Sequence, residues 1–165
     1  MAIYSVMGVG EHGKFFDENS YIYAIDYIRQ GGNNPYVGMV NLTSIETAAA
    51  EMQATAASFE KDSGKRLRHT VLSFHESEHV TPELAYAYAQ QIIQHYAPEY
   101  QMVFAVHTNT AILHIHFVMN HISYVDGHRY RGEKADYYGF RNYIASVIRH
   151  PVLLVKNAHP ENNAC

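Results

Sequence analysis

The sequence predicts an α+β fold, a central antiparallel sheet of about five strands with helices packed on it. Three observations point there. Two apolar runs, residues 103–107 and 113–121, flank the short polar segment Thr108-Asn109-Thr110, the pattern of a β-hairpin. Asp126-Gly127 marks a second tight turn, which folds a strand ending near Tyr124 back through His128 to Arg131. Elsewhere apolar residues recur at helical spacing, so the order reads β-α-(β)-α-β-α-β-β-β-α.

Residues 2–7 read as a first strand, followed by a loop with Gly8, Gly10 and Gly13 that carries no phosphate-loop motif. Asn19 or Ser20 caps a helix to about Gln30, with Ile22, Ile25 and Ile28 as its buried stripe and Gly31-Gly32 as its end. Residues 36–42 are extended. Thr43 and Glu46 have the spacing of a capping box, opening a helix to about Asp62 that Gly64 stops. Residues 68–75 form a strand in which His69, Val71 and Ser73 alternate with Thr70, Leu72 and Phe74. Pro82 at a first helical position starts a helix with the stripe Leu84, Ala85, Tyr88, Ile92 and Tyr96, ended before Pro98. After the two hairpins a last helix spans about 133–149, with Phe140, Ile144, Val147 and Ile148 inward. The polar tail is expected to fray after about 155.

One domain over residues 1–165 fits this length, and 47% hydrophobic content supplies a core. A single cysteine, Cys165, excludes a disulfide framework and a cysteine zinc site, and fits a reducing compartment. No stretch has the form of a signal peptide or reaches membrane-spanning length, which suits a cytoplasmic protein. The net charge of −4 argues mildly against a nucleic-acid partner. Even so, the cations cluster. Lys61, Lys65, Arg66 and Arg68 form one group; Arg129, Arg131 and Lys134 form another, interleaved with Tyr124, His128 and Tyr130. Cations beside aromatics suit single-stranded DNA, with Arg66, Arg68, Arg129, Arg131 and Tyr130 as the candidate contacts. Taken alone, each group reads first as a solvated loop.

Chemistry concentrates in the hairpin. His114 and His116 lie two apart on one strand and share a face. A hairpin closing near Thr110 sets His107 opposite His114, so three imidazoles converge with open positions on one side. That is a divalent-metal site. Twelve histidines make chance clusters commoner than usual, but not this arrangement across a hairpin. Asn120 shares the His114 face; it either orients a ligand or contacts phosphate, or else makes a strand-end hydrogen bond.

His114-Ile-His116-Phe-Val-Met-Asn120, with His107 upstream, resembles the His-hydrophobe-His signature of conjugative relaxases, closest to the mobilisation-protein/VirD2-like branch. Ala24-Ile25-Asp26-Tyr27-Ile28-Arg29 is similar to the segment that bears the nucleophilic tyrosine in that family. The match is Tyr27, with Tyr23, one turn earlier, as the fallback. His69-Thr-Val-Leu-Ser73-Phe74 resembles the family's second motif, which places a polar side chain near metal and tyrosine. The matched position is His69, with Glu76 second. The resemblance covers about residues 1–150 and implies a bacterial, cytoplasmic enzyme with the same sheet.

It further implies site- and strand-specific nicking and strand transfer at an origin of transfer (oriT), through a 5′-phosphotyrosine, for plasmid or integrative-element mobilisation. The partners would be single-stranded DNA, accessory relaxosome proteins and a coupling protein. The metal would be Mg²⁺ or Mn²⁺, although three imidazoles by themselves favour Zn²⁺, Ni²⁺ or Co²⁺. Two alternatives stand beside it. A rolling-circle replication initiator nuclease would carry its tyrosine after the histidines, at Tyr137 or Tyr138. A non-catalytic DNA-binding accessory protein would use the histidines structurally.

Overall fold

A computed structural model describes residues 1–7 and 15–158. The expected glycine loop at Gly8, Gly10 and Gly13, and Cys165, lie outside the described residues. The described chain is an α+β fold in which four helices pack on a six-stranded mixed sheet. The strands are β1 (Ala2–Met7), β2 (Val37–Val40), β3 (Leu67–Ser73), β4 (Met102–His107), β5 (His114–Asn120) and β6 (Val152–Ala158). The helices are α1 (Ser20–Arg29), α2 (Ala48–Ser58), α3 (Pro82–Ile92) and α4 (Lys134–Ile148). Strand order is β2-β4-β5-β3-β1-β6. No helix among the described residues is long and apolar enough to cross a membrane.

Helices cover both faces, so the central strands β3, β4 and β5 are buried along their whole lengths, including the polar side chains that β3 and β5 carry. On one face Tyr4, Leu72, Phe104 and Phe117 meet Ala85, Ala89 and Ile92 of α3 and Phe140, Ile144 and Ile148 of α4. On the other, Leu67, Val103, Ala105 and Val118 meet Tyr21, Ala24, Ile25 and Ile28 of α1 and Ala48 and Met52 of α2. Edge strand β2 approaches its neighbour closely: a Cβ at Gly38 would stand 2.4 Å from the Phe104 ring.

The structure departs from the sequence reading in four places. The strand expected at 128–131 reduces to one bridge, Ile122 to Arg129, whose backbone bonds run from Ser123 N–H to the His128 carbonyl and from Tyr130 N–H to the His121 carbonyl, while the Arg129 guanidinium reaches the carbonyls of Lys61, Ser63 and Lys65. An unexpected strand, β6, pairs parallel to β1 with Ile3 opposite Leu153 and runs to Ala158, into the start of the stretch expected to fray; residues 159–165 of that stretch lie outside the described residues. The α1 stripe is rotated, with Tyr21, Ala24, Ile25 and Ile28 buried and Ile22 exposed. Finally, α2 begins at Ala48, later than Thr43. Thr43 is held from within the helix, its N–H and hydroxyl both donating to Glu51.

Candidate active site

The histidine cluster follows from strand register. β4 and β5 pair antiparallel with His107 opposite His114 and Ala105 opposite His116, so all three imidazoles rise from the α1 face of the sheet. The methyl side chain of Ala105 leaves room beside the His116 ring. Ring centroids are 4.2 Å apart for His107 and His116, 4.8 Å for His114 and His116, and 5.2 Å for His107 and His114. One ring nitrogen from each lies within 4.8 Å of the others, a set that can hold a metal ion.

The outer nitrogens have partners that fix the rings. His107 Nε2–H donates to the Ile28 carbonyl at 2.8 Å, and His114 Nδ1–H to the Ile112 carbonyl at 2.9 Å. A carbonyl only accepts, so these contacts fix the tautomers and leave His107 Nδ1 and His114 Nε2 as lone pairs. His116 Nδ1 lies 2.8 Å from His69 Nε2, and its Nε2 is buried with no hydrogen-bond partner in the described structure. An orphaned buried nitrogen costs stability unless something fills it. Burial holds all three histidines below their ordinary pKa, His116 furthest, where His69, His107 and His114 add their own repulsion. Neutral imidazoles with inward lone pairs fit a divalent cation.

Helix α1 brings a tyrosine to this cluster. With Ala24, Ile25 and Ile28 facing the sheet, Tyr27 stands at the edge of the buried face, 55% exposed. Its ring packs 5.6 Å from His116, 6.1 Å from His69 and 6.2 Å from His107. Tyr23, one turn earlier, is 66% exposed and makes no ring contact with the histidines among the described residues. His69 reaches the same place from β3, where it shares the face of Val71 beside His116. Glu76, the second choice to His69, lies in an exposed single turn after β3.

Asn120 and the expected DNA contacts sit elsewhere. Asn120 is fully buried at the opposite end of β5, accepting from Tyr21 Oη at 2.8 Å and donating to Gln101 and the Met52 carbonyl. There it makes strand-end hydrogen bonds beneath α1 and α2. Arg68 is buried on the other face of β3, under Tyr130 and Tyr137, with Nη1 on the Tyr130 hydroxyl and near Asp136. Arg66 and Tyr130 are buried too. Of the five expected contacts, only Arg131 stands exposed. Tyr137 also lies on that far face, and Tyr138 sits beside Arg141 on the outer side of α4, so neither is brought to the histidines. Sequence reasoning missed the carbonyls of Ile28 and Ile112, because backbone acceptors carry no residue signature.

A comparison with curated proteins finds no relative of the chain. The model of the family described as relaxase, MobA/VirD2-like, nuclease domain matches residues 23–150, a span that includes the tyrosine turn, His69 and the whole histidine hairpin. The chain therefore belongs to the MobA/VirD2-like relaxases, nucleases that nick DNA for mobilisation.

Proposed function

We propose that this chain nicks one DNA strand at an origin of transfer with Tyr27 as nucleophile. The observation that carries the reading is the Tyr27 ring lying 5.6–6.2 Å from His116, His69 and His107, although α1 and the hairpin are distant in sequence. The phenolic oxygen attacks the scissile phosphorus. A Tyr27 O–P bond forms, the bond from phosphorus to the 3′-oxygen breaks, and the phenol proton leaves while the 3′-oxygen takes one up. The products are a 5′-phosphotyrosine and a free 3′-hydroxyl. One phosphoester replaces another, so the step reverses and rejoins ends without ATP.

His107, His114 and His116 hold a divalent ion, Mg²⁺ or Mn²⁺ in use, with Zn²⁺, Ni²⁺ and Co²⁺ as ions the imidazole set also accepts. When bound, the ion supplies positive charge against a non-bridging phosphate oxygen. The residues do the rest. His69 keeps the His116 ring aimed inward, and the exposed Tyr27 face admits single-stranded DNA. One domain carries this activity. Accessory proteins and a coupling protein would deliver the DNA in a bacterial cytoplasm.

The test is a covalent adduct. The chain is incubated with Mn²⁺ and single-stranded oligonucleotides tiling an origin of transfer. An adduct that forms with wild type and Tyr23→Phe but not with Tyr27→Phe supports the reading. Adduct formation by Tyr27→Phe removes Tyr27 as nucleophile, and cleavage without an adduct replaces it with water.

A further inference from the structure

The last carbonyls of a helix have no donor within it. At the end of α1 the N–H of Gln30, held in the left-handed region at φ 54, turns back to the Tyr27 carbonyl. The next carbonyl, of Ile28, takes its hydrogen from outside: His107 Nε2 donates at 2.8 Å in a buried contact. The Ile28 side chain is itself fully buried, so this residue is fixed from both sides. The other two candidate ligands have no such link to α1 through their outer nitrogens. His114 is held by Ile112 in its own hairpin, and His116 by His69 on β3.

We propose that His107 is a positioning residue as well as a metal ligand: it ties the Tyr27 turn of α1 to the metal centre, so that an ion bound there stiffens the turn carrying the tyrosine. This rests on the metal reading given above. The chemistry of one ring supports it. The Ile28 carbonyl requires the proton on Nε2, and ligation through Nδ1 requires the same tautomer. Without an ion the Ile28 contact alone holds this tautomer and is lost whenever the turn opens; with Nδ1 coordinated the proton is confined to Nε2, and the Nε2–H becomes the stronger donor. The helix end also carries partial negative charge, which favours a cation on the ring that touches it. By linkage, loosening the turn must then weaken the ion's binding.

Gly31 offers a way to loosen the turn without touching a histidine. It stands just past α1 at φ +68, and an added Cβ would meet nothing nearer than Asn33 Nδ2 at 4.0 Å. Gly31→Ala therefore strains the backbone without a clash.

Hydrogen–deuterium exchange is read over residues 28–32 of the full chain, first with chelator and then with Mn²⁺ or Zn²⁺. In the metal-free state His107→Ala speeds exchange there by about tenfold, whereas His114→Ala leaves it unchanged. His107→Gln, whose amide can still donate to Ile28, restores the slower rate. Adding the ion slows exchange further in wild type and not in these two alanine variants. Gly31→Ala binds Mn²⁺ roughly threefold more weakly by calorimetry. Equal metal-free exchange in His107→Ala and His114→Ala overturns the proposal. So does ion binding that leaves both α1 exchange and the Gly31→Ala affinity unchanged. A chain that binds neither ion overturns the metal reading and this one with it. A chain showing these exchange changes without joining DNA upholds the tie and overturns the nicking chemistry.

Discussion

His69 Nε2 lies 2.8 Å from His116 Nδ1, and the His69 ring also packs against Tyr27. One side chain of β3 thus touches both the most deeply buried candidate ligand and the candidate nucleophile. A ligand histidine needs its second nitrogen occupied to keep its tautomer and its aim. His69→Ala frees the His116 ring and is expected to weaken Mn²⁺ binding by roughly tenfold or more. His69→Gln keeps a polar partner in reach and should recover part of the loss. Calorimetric titration decides it, and equal affinities in all three proteins would remove His69 from the site.

The expected cationic DNA contacts separate into two kinds. Arg68 is buried with its guanidinium 4.6 Å from the centroid of the Tyr137 ring, and its Nη1 lies 3.8 Å from Asp136. Tyr96 and Tyr130 also donate to that carboxylate. Asp136→Asn leaves a buried guanidinium without its counter-charge, a loss of about 3–5 kcal/mol. Denaturant unfolding should show this drop. Arg131 is exposed, so Arg131→Ala should leave the unfolding midpoint alone and lower both DNA affinity and its salt dependence. Similar salt slopes for wild type and Arg131→Ala would place the DNA elsewhere.

This division shows what the sequence could reveal. The histidine triad was legible because strand period and hairpin closure are local: closure near Thr110 and Ala111 sets His107 opposite His114, and His116, two residues on, shares their face. The motif around Tyr27 pointed to the turn of α1 whose ring lies beside the histidines. The burial of Arg68 was not, because Tyr137 and Asp136, almost seventy residues away, decide it through the packing of α4. β6 was hidden for the same reason: it becomes a strand by pairing parallel to β1 at the other end of the chain. Asn120 had the right face and the wrong end of β5, since alternation gives the side of a sheet but not which helix covers each position.

Asn120 carries a stability prediction. It accepts from Tyr21 Oη and the Ile122 N–H, and donates to Gln101 and Met52, all in full burial. Removing it leaves several polar groups stranded. Asn120→Ala should cost about 2–3 kcal/mol, and Tyr21→Phe about 1 kcal/mol, because the Ile122 contact survives there. The double variant should cost less than the sum, since the two side chains share one bond. Both proteins, once folded, should still bind Mn²⁺ with wild-type affinity. A fall in affinity for folded Asn120→Ala would return Asn120 to the metal site.

His121 sets an acid limit on the fold. It is buried, its ring lies 5.4 Å from Tyr130, and its Nδ1 has no hydrogen-bond partner among the described residues. Burial first, and then the cations Lys65, Arg68 and Arg129, push its pKa down to about 3. The unfolded chain restores the ordinary value near 6.5, so between pH 6.5 and 3 it binds a proton that the folded chain refuses. The His121 contribution is therefore intact above pH 6.5 and lost as pH falls, by roughly 2–3 kcal/mol at pH 4.5. His107, His114 and His116 act in the same direction, so the diagnostic quantity is a difference between proteins. His121→Gln cannot titrate and should flatten the acid limb of stability against pH by that amount, measured by urea unfolding from pH 7 to 4.5. Parallel curves for wild type and His121→Gln would show that His121 takes up its proton in the folded protein without penalty.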